Sequence, residues 1–317
     1  MTAVENSEAA VKGSIIDPES GPEKSGLGAY QSLVEWFRPF SKIYVAFSGG
    51  VDSALVLKAA VDGAGAARVI AVTADSASLP RAEMAEIEQL TNKFGVQSLV
   101  LKTEELDNPG YRANSGDRCY FCKQTLYGSI ERIVDSRADE VAVDGTNTGD
   151  LGDYRPGLRA AAEHKIRHPL VETGFDKEMV RSISRKLDLP TAEKPALACL
   201  SSRIPPGTTV TAEKLRQIEQ AEAGLRALGF SQLRVRYHEL PGVTAGSSAQ
   251  KTTLLARLEF PAADLARAAE PAIRTAINTV VSAAGFDLVT LDLVGYKGAG
   301  SEALVKLKSV DLKRADR

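Results

Sequence analysis

Apolar positions along this chain follow two periods that alternate. Tyr30, Leu33, Val34 and Phe37 recur at helical spacing, and Ile43 to Phe47 then forms a short run without a charged residue, as in a strand buried on both faces. The alternation continues with a helix over about 52–63, a strand at 69–73, a helix at 80–94, a strand at 97–101, a helix at about 120–135, a strand at 140–144 and a helix at about 176–188. Stretches 105–118 and 155–170 show neither period clearly. Strands and helices that take turns over short connections predict an α/β fold with an N-terminal doubly wound parallel sheet. Ligands of such sheets bind at the carboxyl ends of the strands.

After Leu189-Pro190 the pattern changes. The small-residue, Pro-rich stretch LPTAEKPALACLSSRIPPGTTVT reads as a domain junction, and Thr211 then caps a helix running to about Gly229. Strands at about 231–238 and 252–260, one helix over about 261–284 and a strand at about 286–294 predict a smaller C-terminal α+β domain. The expected organisation is a disordered tail at 1–28, a nucleotide-binding domain at 29–190 and a substrate-binding and oligomerisation domain at 191–317. The tail reading rests on the mixture of Gly, Pro, Ser and Glu in 1–28, with little apolar periodicity.

Composition narrows the class. At roughly 150 residues per domain, 317 residues suit two domains, and 44% hydrophobic with 25% charged residues exclude wholesale disorder and collagen-like chains. Apolar runs are far too short to span a bilayer and the N-terminus lacks a basic-then-apolar layout, so the expectation is a cytoplasmic protein without a membrane partner. The net charge of −2 divides into −3 for 1–28, −3 for 29–189 and +4 for 190–317. A +4 C-terminal part suits a small anionic ligand better than a nucleic-acid track. Three cysteines argue against a disulfide framework and leave metal binding, redox chemistry or burial open.

The sharpest motif is Ser48-Gly49-Gly50-Val51-Asp52-Ser53, between a buried strand and a helix. Its glycines let backbone N–H groups approach phosphate oxygens, its hydroxyls add donors, and the helix N-terminus favours an anion. Asp52 is placed to hold a divalent cation against the phosphates or to cap the helix. A Walker-type loop is excluded because no Gly-Lys-Ser/Thr ending is present.

SGGVDS after a first strand resembles the PP-loop pyrophosphatase superfamily, whose members split ATP between its α and β phosphates to adenylate a substrate. Three further stretches, Arg118-Cys119-Tyr120-Phe121-Cys122-Lys123, DGTNTGDLGDYRPG at 144–157 and KPALACLSSRIPPGT at 194–208, complete a resemblance to the LarE family over about 29–310. LarE proteins are ATP-dependent sulfur transferases that thiolate the carboxylates of pyridinium-3,5-biscarboxylate mononucleotide while a nickel-pincer nucleotide cofactor is built. The resemblance implies ATP and magnesium as cofactors, with Thr73 and Asp75 at the end of the second strand near adenine and ribose. The DGTN loop follows a strand of the same sheet and can face the nucleotide through Gly145 and Asn147. Asp144 and Asp150, with Asp52, offer the oxygen ligands magnesium prefers, and Arg155 suits a phosphate or the substrate carboxylate.

Cys119 and Cys122 are spaced to grip one metal or cluster, and Cys199 lies 77 residues beyond Cys122. Three thiolates fall short of a closed zinc site but suit a 4Fe-4S cluster with one iron left open to sulfide. The family also contains proteins with a single cysteine in the LACLSSR stretch whose own sulfur is sacrificed, so single-turnover transfer from Cys199, zinc, a redox pair or buried thiols remain alternatives. The expected mechanism is adenylation of a carboxylate followed by attack of sulfur held near the three cysteines. In QLRVRYHEL, Leu233, Val235 and Tyr237 alternate with Arg234, Arg236 and His238, and Arg257 with Glu259 adds a polar face on the next strand. Arg234, Arg236 and Arg257 are candidates for the substrate phosphate, and Ser201 and Arg203 beside Cys199 for substrate or sulfur. Arg203 can equally brace the junction loop, and His164, His168 and His238 show no ligand spacing. Expected partners are a small anionic mononucleotide, sulfide or a sulfur donor, no nucleic acid, and further copies of the chain, six if the family's hexamers apply. A PP-loop tRNA-thiolating enzyme and an ammonia-using ligase are the rival readings.

Overall fold

The computed structural model describes residues 27–135, 138–152, 156–195, 198–240 and 252–296. The N-terminal half runs α1 (Leu27–Phe37), β1 (Lys42–Ala46), α2 (Val51–Ala64), β2 (Val69–Asp75), α3 (Arg81–Phe94), β3 (Gln97–Lys102), α4 (Pro109–Arg112), α5 (Arg118–Glu131), β4 (Glu140–Val143), α6 (Pro156–Glu163), α7 (Pro169–Glu172) and α8 (Lys177–Lys186). The C-terminal half adds α9 (Ala212–Ala227), β5 (Arg234–Leu240), β6 (Thr253–Glu259), α10 (Ala262–Ala269), α11 (Pro271–Ala283) and β7 (Leu288–Leu291).

The first four strands form one parallel sheet in the order β3-β2-β1-β4. Successive side chains of a strand point to opposite faces, and β1 shows the consequence. Ile43 and Val45 enter a core with α1, α2 and α8, while Tyr44 and Ala46 join Tyr127, Ile130, Ala160 and Ala161 of α5 and α6 on the other face. Both faces of β1 are therefore covered, which is why it reads as an uninterrupted apolar run, whereas the edge strand β3 stays largely exposed. The strand order reverses at β1, with β2 on one side and β4 on the other. That reversal opens a crevice at the carboxyl edge where the loops after β1 and β4 meet.

The C-terminal half is a three-stranded mixed sheet, β5-β6-β7, with β5 antiparallel and β7 parallel to β6. Its core joins Phe230, Val235, Tyr237, Leu258 and Phe260 to Ile218, Leu225 and Val281 of the helices. Tyr111, Leu200 and Ile204 belong to this second core, so α4 and the Pro-rich stretch pack beneath the C-terminal sheet.

Boundaries read from periodicity shift by a few residues. The one substantive difference is the expected single helix at 261–284, which is two helices broken at Glu270. Glu270 is extended (φ −57°, ψ 138°) because Pro271 follows it, and a residue before proline avoids the helical region. Thr211 does cap α9, accepting from the Lys214 amide. The stretches without clear period contain the short helices α4, α6 and α7. No described helix is long and apolar enough to cross a membrane.

Candidate functional site

The turn from β1 into α2 is the SGGVDS loop. Gly49 has φ +71°, a region L side chains rarely adopt, and an added Cβ would lie 2.7 Å from Ile87 Cγ1. Gly50 then serves as the N-cap of α2 with no side chain over the helix end, leaving the first amides open toward the crevice. Ser48 and Ser53 hydroxyls sit 3.2 Å apart, and Ser53 also donates to Gly50 O at 3.2 Å. Val51 is buried and anchors the turn in the core. Thr73 is buried and donates to Phe47 O at 3.0 Å, tying the end of β2 to the start of the loop.

The loop after β4 lies directly against this turn. A Cβ on Gly145 would stand 2.7 Å from the Ser53 amide nitrogen, so only glycine permits the contact. Asn147 donates to Asp52 Oδ1 at 3.1 Å and accepts from the Gly149 amide at 3.0 Å, while its own amide donates to Asp150 Oδ2 at 3.1 Å. Lys177, at the first turn of α8, ion-pairs with the other Asp52 oxygen. Asp144 is buried and accepts from Tyr127 (2.6 Å), His168 (2.7 Å) and both the amide and hydroxyl of Thr146 (3.0 Å each). Burial by itself raises the Asp144 pKa, but the His168 hydrogen bond and the Lys123 and His168 charges overcome it and hold it at about 2. Burial opposes charge on His168 too, and its bond to Asp144 raises its pKa above the ordinary value. With both oxygens engaged in these bonds, Asp144 anchors the loop in this arrangement. The Arg155 expectation lies outside the described residues.

On the β2–β3 side of the edge, a cleft of about 340 Å³ is lined by Asp75, Ser76, Arg81, Lys102, Arg216 and Glu219. Asp75 pairs with Arg81 there at 2.5 Å.

The cysteines reach the same edge by different routes. Cys119 and Cys122 lie in the first turns of α5, and Cys199 precedes a turn of 3-10 helix at Leu200–Arg203. The segment before α5 closes the distance. Arg118 donates to Ser201 O at 2.9 Å and to Asn114 Oδ1 at 2.5 Å, and the buried Asn114 amide donates to the carbonyls of Ile204, Pro205 and Thr208. Leu200 N donates to Ser78 O at 2.9 Å, fastening the Cys199 loop to the segment after β2. Cys119 and Cys199 are exposed as residues and Cys122 is half-buried. Burial pushes the Cys122 thiol up to about 12, with Glu105, Cys199 and Cys119 adding to the rise. Desolvation of the thiol and then Cys199 also raise Cys119, against Arg118 and Lys123. The three thiols are thus within electrostatic reach of one another. Among the described residues no three His, Cys, Asp or Glu side chains converge as ligands of a single metal ion.

The arginines have internal partners. Arg203 forms a buried pair with Glu222 (2.8 Å) and donates to Ala198 O and Cys199 O, which braces the cysteine loop. Arg236 bonds Glu259 at 3.0 Å and Ser202 O at 2.8 Å, and Arg257 bonds Glu259 at 3.1 Å and also Asp292. Arg234 is buried, its guanidinium 4.7 Å from the Tyr296 ring centre. His238 lies beside this set, and burial with Arg257 and Arg236 lowers its pKa.

Sequence reading did not single out Lys177, Lys194, Asn114 or Tyr111. Lys194 pairs with Glu83 (2.8 Å) and Glu86 (2.6 Å) beside the phosphate loop. Its only sequence mark is its place at the head of the KPALACLSSR stretch. Asn114 carries a signal in hindsight, because φ +53° is a conformation asparagine tolerates.

A parallel sheet whose strand order reverses at β1, with SGGVDS opening the next helix and an Asp-Gly-Thr-Asn loop against it, defines a PP-loop type α/β domain carrying a smaller C-terminal domain. Comparisons with known proteins agree. The chain is 33% identical over 276 residues, 87% of its length and 94% of the relative's, to the pyridinium-3,5-bisthiocarboxylic acid mononucleotide synthase of Lactiplantibacillus plantarum. This chain therefore belongs to the LarE family. It is also 38% identical over 267 residues (84% of this chain, 94% of the relative) to an uncharacterized Synechocystis protein, slr1717. Identity to an uncharacterized Methanocaldococcus jannaschii protein, MJ0830, is 29% over 195 residues (62% and 73%). No family model matches the chain.

Proposed function

We propose that this protein is an ATP-dependent sulfurtransferase that converts pyridinium-3,5-biscarboxylate mononucleotide to its thiocarboxylated form, releasing AMP and pyrophosphate. The observation that carries the reading is the sharing of one sheet edge by a phosphate loop and a cysteine set, joined by the Leu200–Ser78 hydrogen bond. The relative named as a bisthiocarboxylic acid mononucleotide synthase supports the substrate.

In this reading the open amides of α2, with the Ser48 and Ser53 hydroxyls, receive the β and γ phosphates. Asp52, with Asp150, holds magnesium, and Lys177 moves from Asp52 to phosphate oxygens as the nucleotide enters. Thr73, Asp75, Gly145 and Asn147 border the rest of the nucleotide. A substrate carboxylate oxygen attacks the α-phosphorus, pyrophosphate leaves, and an acyl-adenylate results. Sulfur then attacks the acyl carbon, and the replaced oxygen departs on AMP.

Cys119, Cys122 and Cys199 fit a 4Fe-4S cluster in chemistry and number. Such a cluster would leave one iron without a protein ligand and supply a place for sulfide. Arg234, Arg236 and Arg257 neutralise the substrate phosphate by exchanging internal partners, and Arg203 with Ser201 keeps the Cys199 loop in place.

The test is anaerobic incubation with Mg-ATP, sulfide and either the mononucleotide or bulk tRNA, followed by mass spectrometry. The expected product is the mononucleotide heavier by about 16 mass units per oxygen replaced by sulfur, with one AMP per sulfur. Thiolated tRNA, or no product from a preparation that contains the cluster, overturns the proposal. A product that appears only once per protein, with dehydroalanine at 199, would place the sulfur on Cys199 itself.

A further inference from the structure

A chain of buried polar groups runs beneath the cysteines, and no motif announced it. Cys199 Sγ lies 2.9 Å from Ser201 Oγ, the Tyr111 hydroxyl is hydrogen-bonded to Ser78 Oγ, and the Ser78 carbonyl accepts from the Leu200 amide at 2.9 Å. The Ser78 amide donates to Ser76 Oγ at 3.0 Å, and Ser76 donates in turn to Glu105. Exposure is 0% for Ser201, 1% for Tyr111, 2% for Glu105, 4% for Ser78 and 7% for Ser76.

Burying five polar side chains in one place costs stability unless each finds a partner. At position 111, inside the apolar second core, phenylalanine would fill the same space without that cost. The hydroxyl therefore has a task that packing does not explain. The serine it holds touches two parts of the site. Ser78 follows β2, whose end borders the SGGVDS loop through Thr73, and its carbonyl accepts from Leu200, the residue next to Cys199. The direction runs one way: the Ser78 amide donates to Ser76, and Ser76 donates to Glu105. That link passes through a backbone N–H, which cannot relay a proton. The chain is a brace.

We propose that Tyr111 is a positioning residue for the sulfur-transfer step, its hydroxyl locking the Cys199 loop to the sheet edge that carries the nucleotide. The assignment rests on the function proposed above. Adenylation requires only the nucleotide edge, whereas transfer requires the thiol loop to sit in register with it. Losing the hydroxyl separates the two steps.

The experiment uses the full-length Tyr111→Phe protein, with Ser78→Ala as a second variant that breaks the brace from the other side. Two quantities are read: thiocarboxylate formed per pyrophosphate released in a single turnover, and the rate at which iodoacetamide labels Cys199 relative to Cys119 in cluster-free protein, by peptide mass spectrometry. For the loss of one buried hydrogen bond, thiocarboxylate per pyrophosphate is expected to fall about tenfold while single-turnover pyrophosphate release stays within about twofold. Cys199 labelling is expected to rise about fivefold with Cys119 unchanged, for the same reason. Unchanged Cys199 labelling in both variants overturns the proposal, as does a parallel fall of both steps with a lowered melting temperature. If the wild-type protein forms no thiocarboxylate, the functional reading fails, and the labelling ratio alone decides whether Tyr111 restrains the loop.

Discussion

Lys177 ion-pairs with Asp52 across 125 positions of the chain, bringing the start of α8 onto the phosphate loop. Under the proposed function this ammonium is the one that moves to the triphosphate. Lys177→Ala is expected to slow pyrophosphate release about 10²-fold, as for removal of one preorganised transition-state contact. Lys177→Arg should recover part of that rate. Pyrophosphate release measured at several ATP concentrations checks this, and an unaltered rate would reduce the pair to a surface contact.

Gly145 and the Ser53 amide touch with no room between them. Gly145→Ala must push the two loops apart, with an expected loss of about 1–3 kcal/mol in urea unfolding and a weakened hold on ATP. Equilibrium dialysis with a non-hydrolysable ATP analogue reads the second effect.

Glu222 is fully buried, and Arg203 is its closest cation. Arg203→Met leaves that carboxylate with the more exposed Arg226 and the Val235 amide. The expected cost is about 3–5 kcal/mol, whereas replacing both members by apolar residues should cost much less. The denaturation midpoints of the single and double variants decide.

The Asp144–His168 pair makes stability depend on pH in two windows. Asp144 has a folded pKa depressed to about 2, so its contribution is present above the ordinary carboxylate value of about 3.9 and is lost as pH falls toward 2. His168 has a raised folded pKa, so its contribution is complete below about 6.5 and is lost as pH rises through the folded value. Melting temperature should therefore be least pH-dependent between these limits. In His168→Asn the loss on the alkaline side should disappear.

Thiolate, not thiol, reacts with iodoacetamide. Because Cys122 is pushed up to about 12, it should be labelled last of the three cysteines in cluster-free protein near pH 8. Cys122 labelling as fast as Cys199 would show that the first turns of α5 open in solution.

Much of the architecture was legible because it rests on local rules. Runs such as Ile43–Phe47 are apolar only where a strand is covered on both faces, and β1 is such a strand. The SGGVDS turn between β1 and α2 was readable because a tight strand-to-helix turn demands glycine, and Gly49 takes φ +71°. The break at Glu270 was missed by periodicity, although Pro271 carried the signal.

By itself the sequence determined the α/β order, the phosphate loop, the DGTN loop and the three cysteines, since each depends on residues adjacent in the chain or on residue type alone. Only the tertiary structure decided that Lys177 meets Asp52, that Arg203 is spent on Glu222, that Asp144 is engaged by Tyr127, Thr146 and His168, and that Tyr111 meets Ser78. These are pairings of polar groups far apart in the chain. Their partners are set by which faces the sheets and helices bury together, and side-chain type alone does not encode that distance.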